Sequence, residues 1–153
     1  MTTFARIAGY EKEKTMNSVS SLRSHNTPDT QRWVRNDAVI HITDLRLRTY
    51  IGFNPEELSK LQDVVINCEL HYKADAPCNT DDETTALNYK TITKQIIQHV
   101  EEGQFRLLEK LAEDLLQTLM SCEQATRASV RVDKPHALRF ADSVSVTLSA
   151  SRQ

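Results

Sequence analysis

Between residues 105 and 120 the apolar side chains recur at Leu108, Leu111, Ala112, Leu115, Leu116 and Leu119. Steps of three and four put all six on one face of a helix, and so apolar a face has to be buried. On either side the period changes to two. Val64, Ile66, Cys68, Leu70 and Tyr72 alternate with Val65, Asn67, Glu69, His71 and Lys73, the pattern of a half-buried strand. Residues 39–51 alternate in the same way, with Leu45 and Leu47 opposite Arg46 and Arg48. Two further strands follow the helix, one through Ala128, Val130 and Val132 and one through Val144, Val146 and Leu148. A second helix is predicted from about Tyr89, capped by Asn88 and ended by Gly103, with Tyr89, Ile92, Ile96 and Val100 on one face.

The order strand, strand, helix, helix, strand, strand predicts an α+β domain. Its simplest packing is a four-stranded antiparallel sheet with both helices on the apolar face. Such a sheet keeps two open edges that invite pairing with another copy. Joining the sheets of several subunits into one barrel would remove those edges.

The connections are marked by Gly, Pro and polar residues. Ile51-Gly-Phe-Asn-Pro-Glu-Glu57 reads as a loop, residues 75–85 as a polar connection around Pro77, and residues 134–142 as an irregular link. Residues 1–36 are polar and without a sustained period, so they are expected to be a largely disordered extension, with Met16 an alternative start. The domain is expected to run from 37 to 153.

The formal net charge of −2 argues against binding nucleic acid through bulk electrostatics. Cys68, Cys78 and Cys122 form no CxxC pair and read as reduced thiols of a cytoplasmic protein. No apolar run is long enough to cross a bilayer, so no membrane partner is expected. The histidines at 25, 41, 71, 99 and 136 lack metal-ligand spacing, and His99 is read as a packed histidine. No metal and no cofactor is predicted.

Four polar residues stand at element ends, where sites are usually built: Glu57, Tyr89, Glu109 and Lys134. Glu109 falls in the first turn of the helix over 105–120, where free N–H groups and the positive end of the macrodipole favour a carboxylate. Each also has a plain structural explanation, as a loop charge, a core tyrosine, a dipole partner and a turn lysine.

Gly52-Phe-Asn-Pro-Glu-Glu57, Leu87-Asn-Tyr89, Leu107-Leu-Glu109 with Leu111-Ala-Glu113, and Val132-Asp-Lys-Pro135 occur in that order. Together they resemble the dihydroneopterin aldolase/epimerase family of pterin enzymes, over residues 38–149. Leu45-Arg-Leu-Arg-Thr-Tyr-Ile-Gly52, Ala86-Leu-Asn-Tyr-Lys-Thr-Ile-Thr93, Ile97-Gln-His-Val-Glu101 and His136-Ala-Leu-Arg-Phe-Ala-Asp-Ser-Val-Ser145 are similar to its epimerase branch.

The resemblance implies the tunnelling fold, with sheets joined into an oligomeric barrel. The expected assembly is an octamer of two stacked tetrameric rings, with sites between subunits. It implies that Glu109 receives the pterin ring, with backbone groups of Leu107 and Leu108 beside it. It makes Lys134 the acid–base group, Tyr89 a proton shuttle and Glu57 a pocket residue holding water or substrate hydroxyls. The implied reaction is retro-aldol chemistry on a dihydropterin side chain. Epimerisation of a pterin triphosphate is the first reading and aldol cleavage of the dephosphorylated pterin the alternative. A non-catalytic pterin-binding scaffold is a third reading, of another class. A triphosphate needs cations, and Arg46, Arg48, Arg131, His136 and Arg139 are the candidates. Each could equally serve a solvated strand face.

Overall fold

The computed structural model describes residues 33–153. Most of the extension expected at residues 1–36, and Met16 with it, lies outside the described residues. Arg35–Gln153 form one compact unit. The Arg35 guanidinium donates to Asp75 at 3.0 Å.

Strand β1 (Ala38–Ile51) runs antiparallel to β2 (Leu61–Tyr72), which pairs with β4 (Ala125–Pro135), and β4 with β5 (Ser143–Ser151). These are the four expected strands. A fifth, β3, consists of Gln104–Phe105 and runs parallel to the end of β1. The sheet order is β3-β1-β2-β4-β5. The sheet is therefore mixed and five-stranded, not four-stranded and antiparallel. The cause is backbone pairing: the Gly52 N–H donates to the Phe105 carbonyl at 2.9 Å, drawing an apolar residue out of the helical period into an extended strand.

β1 carries one irregularity. Its inward residues step from Ile42 to Leu45, and the register with β2 shifts there. Asp44 takes up the extra residue at φ 53 and donates its N–H to the Asn67 side chain at 2.9 Å. Without this bulge Leu45 and Leu47 would face away from the core.

Three helices accompany the sheet. The connection expected at 75–85 contains a short helix, α1 (Asp75–Thr80), and a 3₁₀ turn at Glu83–Thr85. Pro77 is compatible because it stands in the first turn of α1, where its missing N–H is not needed. α2 (Tyr89–Glu102) starts where expected, with Asn88 Oδ1 accepting the Thr91 N–H at 3.1 Å. Ile92, Ile96 and Val100 are buried, but Tyr89, expected on the same face, is 52 % exposed at the free end. α3 (Leu108–Met120) is three residues shorter at its start than the apolar period suggested.

α3 packs on β4 and β5, and α2 on β1. Leu111, Leu115 and Leu119 meet Val64, Ile66, Val130 and Val132 in the core. Truncating one of these leucines to alanine would cost about 2–5 kcal/mol. Arg152 ties the chain end to the end of α3, donating to the carbonyls of Ala125, Met120 and Cys122.

The outer edge of β5 has no partner strand among the described residues, and β3 covers β1 only at Tyr50 and Ile51. No described helix is long and apolar enough to cross a membrane.

Candidate functional site

The turn after β1 begins with Gly52 at φ 136 and continues as Phe-Asn-Pro-Glu-Glu. The Glu57 N–H donates to the Asn54 carbonyl at 2.9 Å, closing a turn with Pro55 at its second position. The Glu57 carboxylate folds back and accepts the Asn54 N–H at 3.1 Å. This brings the carboxylate directly over Gly52. A Cβ on Gly52 would lie 2.2 Å from Glu57 Oε2. The φ favours glycine, and any Cβ there would push the Glu57 carboxylate from its place.

Lys134 reaches the same place from the end of β4. Its Nζ donates to Glu57 Oε1 at 2.6 Å and to the Ile51 carbonyl at 3.2 Å. The Gln62 side chain also donates to that carbonyl. The pair is largely shielded, with the Lys134 side chain 11 % and the Glu57 side chain 20 % exposed. The Lys134 ammonium first, and the Asn54 N–H second, hold the Glu57 carboxyl below its usual value. Two of the four predicted residues therefore meet.

Beside them lies a cavity of about 230 Å³, lined by residues 50–52, 57–58 and 104–106. That is less than the roughly 300–1,000 Å³ of an ordinary ligand pocket. β3 carries the chain from this cavity through Leu107 to α3. Leu107 is the extended N-cap of α3 and offers no side-chain hydrogen bond to the first turn. Glu109 stands exposed in that turn, three residues beyond Arg106 of the cavity. The first turn of α3, with Glu109 in it, thus follows directly on the segment 104–106 that lines the cavity.

Tyr89 does not join them. The far end of α2 feeds the cavity through Gln104, and Tyr89 begins α2. Fourteen residues of helix place Tyr89 roughly 20 Å away along α2.

Two larger hollows lie elsewhere. One of about 660 Å³ sits between α2 and α3, around His99 and Asp114. There His99 Nε2 is 3.0 Å from Asp114 Oδ2 and its ring meets Phe105 edge-on at 5.5 Å. His99 bridges two helices at a side-chain exposure of 44 %, instead of packing in the core as expected. The other, of about 700 Å³, lies on the sheet face away from the helices, with Arg46 and Arg131 among Asp44, Glu69, Asp133 and Asp142. Neither contains the glutamate–lysine pair, and volume alone does not locate the chemistry. Among the candidate cations, Arg46, Arg48 and His136 line one further cavity of about 290 Å³. Arg131 is bound to Asp133 at 2.7 Å, and Arg139 lies over the Phe140 ring at 5.2 Å.

The sequence model of the Dihydroneopterin aldolase family matches residues 40–149, which include Glu57, Tyr89, Glu109 and Lys134. The chain belongs to the dihydroneopterin aldolase family. It is 53% identical over 115 residues to the dihydroneopterin triphosphate 2′-epimerase of Escherichia coli strain K12, covering 75% of this chain and 96% of that protein. It is 50% identical over 115 residues to the enzyme of the same name from Pseudomonas aeruginosa, covering 75% and 94%. Among solved structures, the Escherichia coli dihydroneopterin aldolase in complex with neopterin superposes with a TM-score of 0.71 at 25% identity, covering 74% of this chain and 99% of that one. Membership fits the mixed sheet and its two long helices.

Sequence reasoning gave no role to Gly52, the Ile51 carbonyl or Gln62. Gly52 was visible as a glycine ending a strand before Asn-Pro, but its steric relation to Glu57 was not.

Proposed function

We propose that the chain inverts C2′ of 7,8-dihydroneopterin triphosphate, giving dihydromonapterin triphosphate. The observation that carries this reading is the identity to two epimerases, extending over almost the whole of each. The Glu57–Lys134 pair supports it, because inversion at an alcohol carbon needs a group that both takes and returns a proton.

In the proposed mechanism the pterin ring sits at the start of α3. The Glu109 carboxylate accepts from the 2-amino and ring N–H donors, as a charge-assisted pair. Backbone groups of Leu107 and Leu108 complete the contact. Lys134 exchanges the proton of the 2′-hydroxyl, directly or through one water. The C1′–C2′ bond breaks, and its electrons pass into the C6=N5 imine. The aldehyde turns over, the same electrons return to its other face, and the new alkoxide takes the proton back from Lys134. Glu57, ionised at neutral pH, orients Nζ and any bridging water. Tyr89 shuttles the proton at the ring side. Because it lies roughly 20 Å from its own chain's cavity, it serves the site of a neighbouring copy.

The active form is therefore a homo-oligomer with sites between subunits, an octamer of two stacked rings by family resemblance. The two open sheet edges and the small single-chain cavity support this. Light scattering at micromolar concentration tests it, and a fully active monomer would sink it.

Release of glycolaldehyde before re-addition would make the same residues an aldolase. The similarity to an aldolase structure favours this as a side reaction. The deciding experiment incubates the protein with dihydroneopterin triphosphate, resolves the 2′ stereoisomers and looks for 6-hydroxymethyl-7,8-dihydropterin. Inverted triphosphate as main product supports the epimerase. Absence of any turnover leaves only a pterin-binding scaffold.

A further inference from the structure

We infer that the cavity lined by Arg46, Arg48 and His136 takes the polyphosphate of the substrate and so sets its selectivity. This rests on the proposed reading that the substrate is a pterin triphosphate.

Charge carries the argument first. Three basic residues line this cavity, and Asp63 is its one carboxylate. Asp63 is already committed, since Arg48 Nε lies 3.2 Å from its Oδ1. Arg46 has no hydrogen-bond or ion-pair partner among the described residues, although it lies between two cavities. Arg46 thus offers an unpartnered guanidinium fork suited to phosphate oxygens, beside Arg48, which also holds Asp63 and the Leu61 carbonyl, with His136 in the same cavity wall. Arg139 lies over the Phe140 ring, and Arg131 is held by Asp133 in a hollow that Arg46 also borders. That hollow contains Asp44, Glu69 and Asp142, so phosphate is favoured on the other side of Arg46, toward Arg48 and His136.

Position carries it second. Leu47 pairs with Val64, and Val65 pairs with Asp133, so Val64 stands level with Lys134. Lys134 is thus two strand spacings, about 10 Å, from Leu47. Arg46 and Arg48 flank Leu47 and project to the opposite face of the sheet. The end of β4 joins the two faces. It runs from Lys134 through Pro135, which lines the cavity, to His136, turned at φ 63. A substrate whose 2′-hydroxyl meets Lys134 therefore carries its phosphates over the rim of the sheet at Pro135. A pterin without phosphates does not reach the cavity.

The test uses the full chain, with Arg46→Ala, Arg48→Ala and, as a control cation on the same sheet, Arg127→Ala. Steady-state kinetics with dihydroneopterin triphosphate and with dihydroneopterin are combined with calorimetric titration of inorganic tripolyphosphate. Each of the first two variants is expected to raise KM for the triphosphate about 10- to 100-fold, the scale of one lost charge-assisted bond. KM for dihydroneopterin, which makes no contact there, should stay near the parent value. Tripolyphosphate binding should weaken in parallel, and Arg127→Ala should follow the parent protein. Equal changes with both substrates, no change, or an equal effect of Arg127→Ala overturns the assignment. If the parent turns over only dihydroneopterin, yet binds tripolyphosphate through Arg46, the polyphosphate site stands and the epimerase reading falls.

Discussion

Lys134 Nζ lies 2.6 Å from Glu57 Oε1, although 77 positions separate the two residues in the chain. The contact joins the end of β4 to the turn after β1, and Gly52 is the residue that leaves room for it. A lysine and a glutamate this shielded are costly to separate, because removing one leaves the other charge without its partner.

The pair should be visible in the pH dependence of stability. Glu57 is held below its usual 4.5 by Lys134 and then by the Asn54 N–H. A depressed folded value means that the contribution is complete above the usual value and is lost as the pH falls through the folded one. Glu57→Gln is expected to lower Tm at neutral pH and to flatten the decline of Tm below about pH 4.5. Thermal unfolding of both proteins across that range checks it. Parallel curves would mean that the pair adds nothing.

Gly52→Ala should be disproportionately harmful for one methyl group. The added Cβ falls 2.2 Å from Glu57 Oε2, and the φ of 136 is strained for alanine. Stability should fall by about 1–3 kcal/mol, and turnover should fall with it as Glu57 is displaced from Lys134. Chemical denaturation and initial rates measure the two effects. A stable variant with normal rates would contradict the packing described.

Glu109→Gln and Lys134→Ala should fail differently. The amide turns part of an acceptor into a donor facing pterin N–H groups, at a cost of about 1–3 kcal/mol in affinity for substrate and unreactive pterins alike. Lys134→Ala leaves that surface intact and should slow turnover by roughly 10²–10⁴-fold. Titration with an unreactive pterin and single-turnover rates separate them. Unchanged pterin affinity in Glu109→Gln would reduce the carboxylate to a partner of the α3 dipole.

Tyr89→Phe and Glu109→Gln should complement one another. If the two residues serve one site from different copies, mixed assemblies contain some interfaces with both native residues. The two impaired variants, co-expressed under different tags and purified through both, should regain part of the parent rate at subsaturating substrate. Mixed assemblies no faster than the average of the separate variants would place Tyr89 outside its neighbour's site.

Much of this protein was legible because the signals are local. The period of two and the period of 3.6 each report a burial pattern within one element, and so β1, β2, α2, α3, β4 and β5 are all readable. Asn88 before Tyr89 marks a helix start for the same reason. The polar spacing around Pro77 gave a loop where a turn of helix forms, since α1 buries none of its residues and leaves no apolar stripe to read.

The sequence by itself determined the alternation of the strands, the apolar stripes of the two long helices and the motifs that place the chain in its family. Tertiary structure alone decided that Phe105 leaves the helix for β3, that Glu57 and Lys134 meet while Tyr89 does not join them, and which cations share a cavity. Each of these depends on a partner distant in sequence: the Gly52 N–H for Phe105, Lys134 for Glu57, and the end of β4 for Arg46 and Arg48. Periodicity records which face of an element is buried, and it carries no term for what that face or its end will meet.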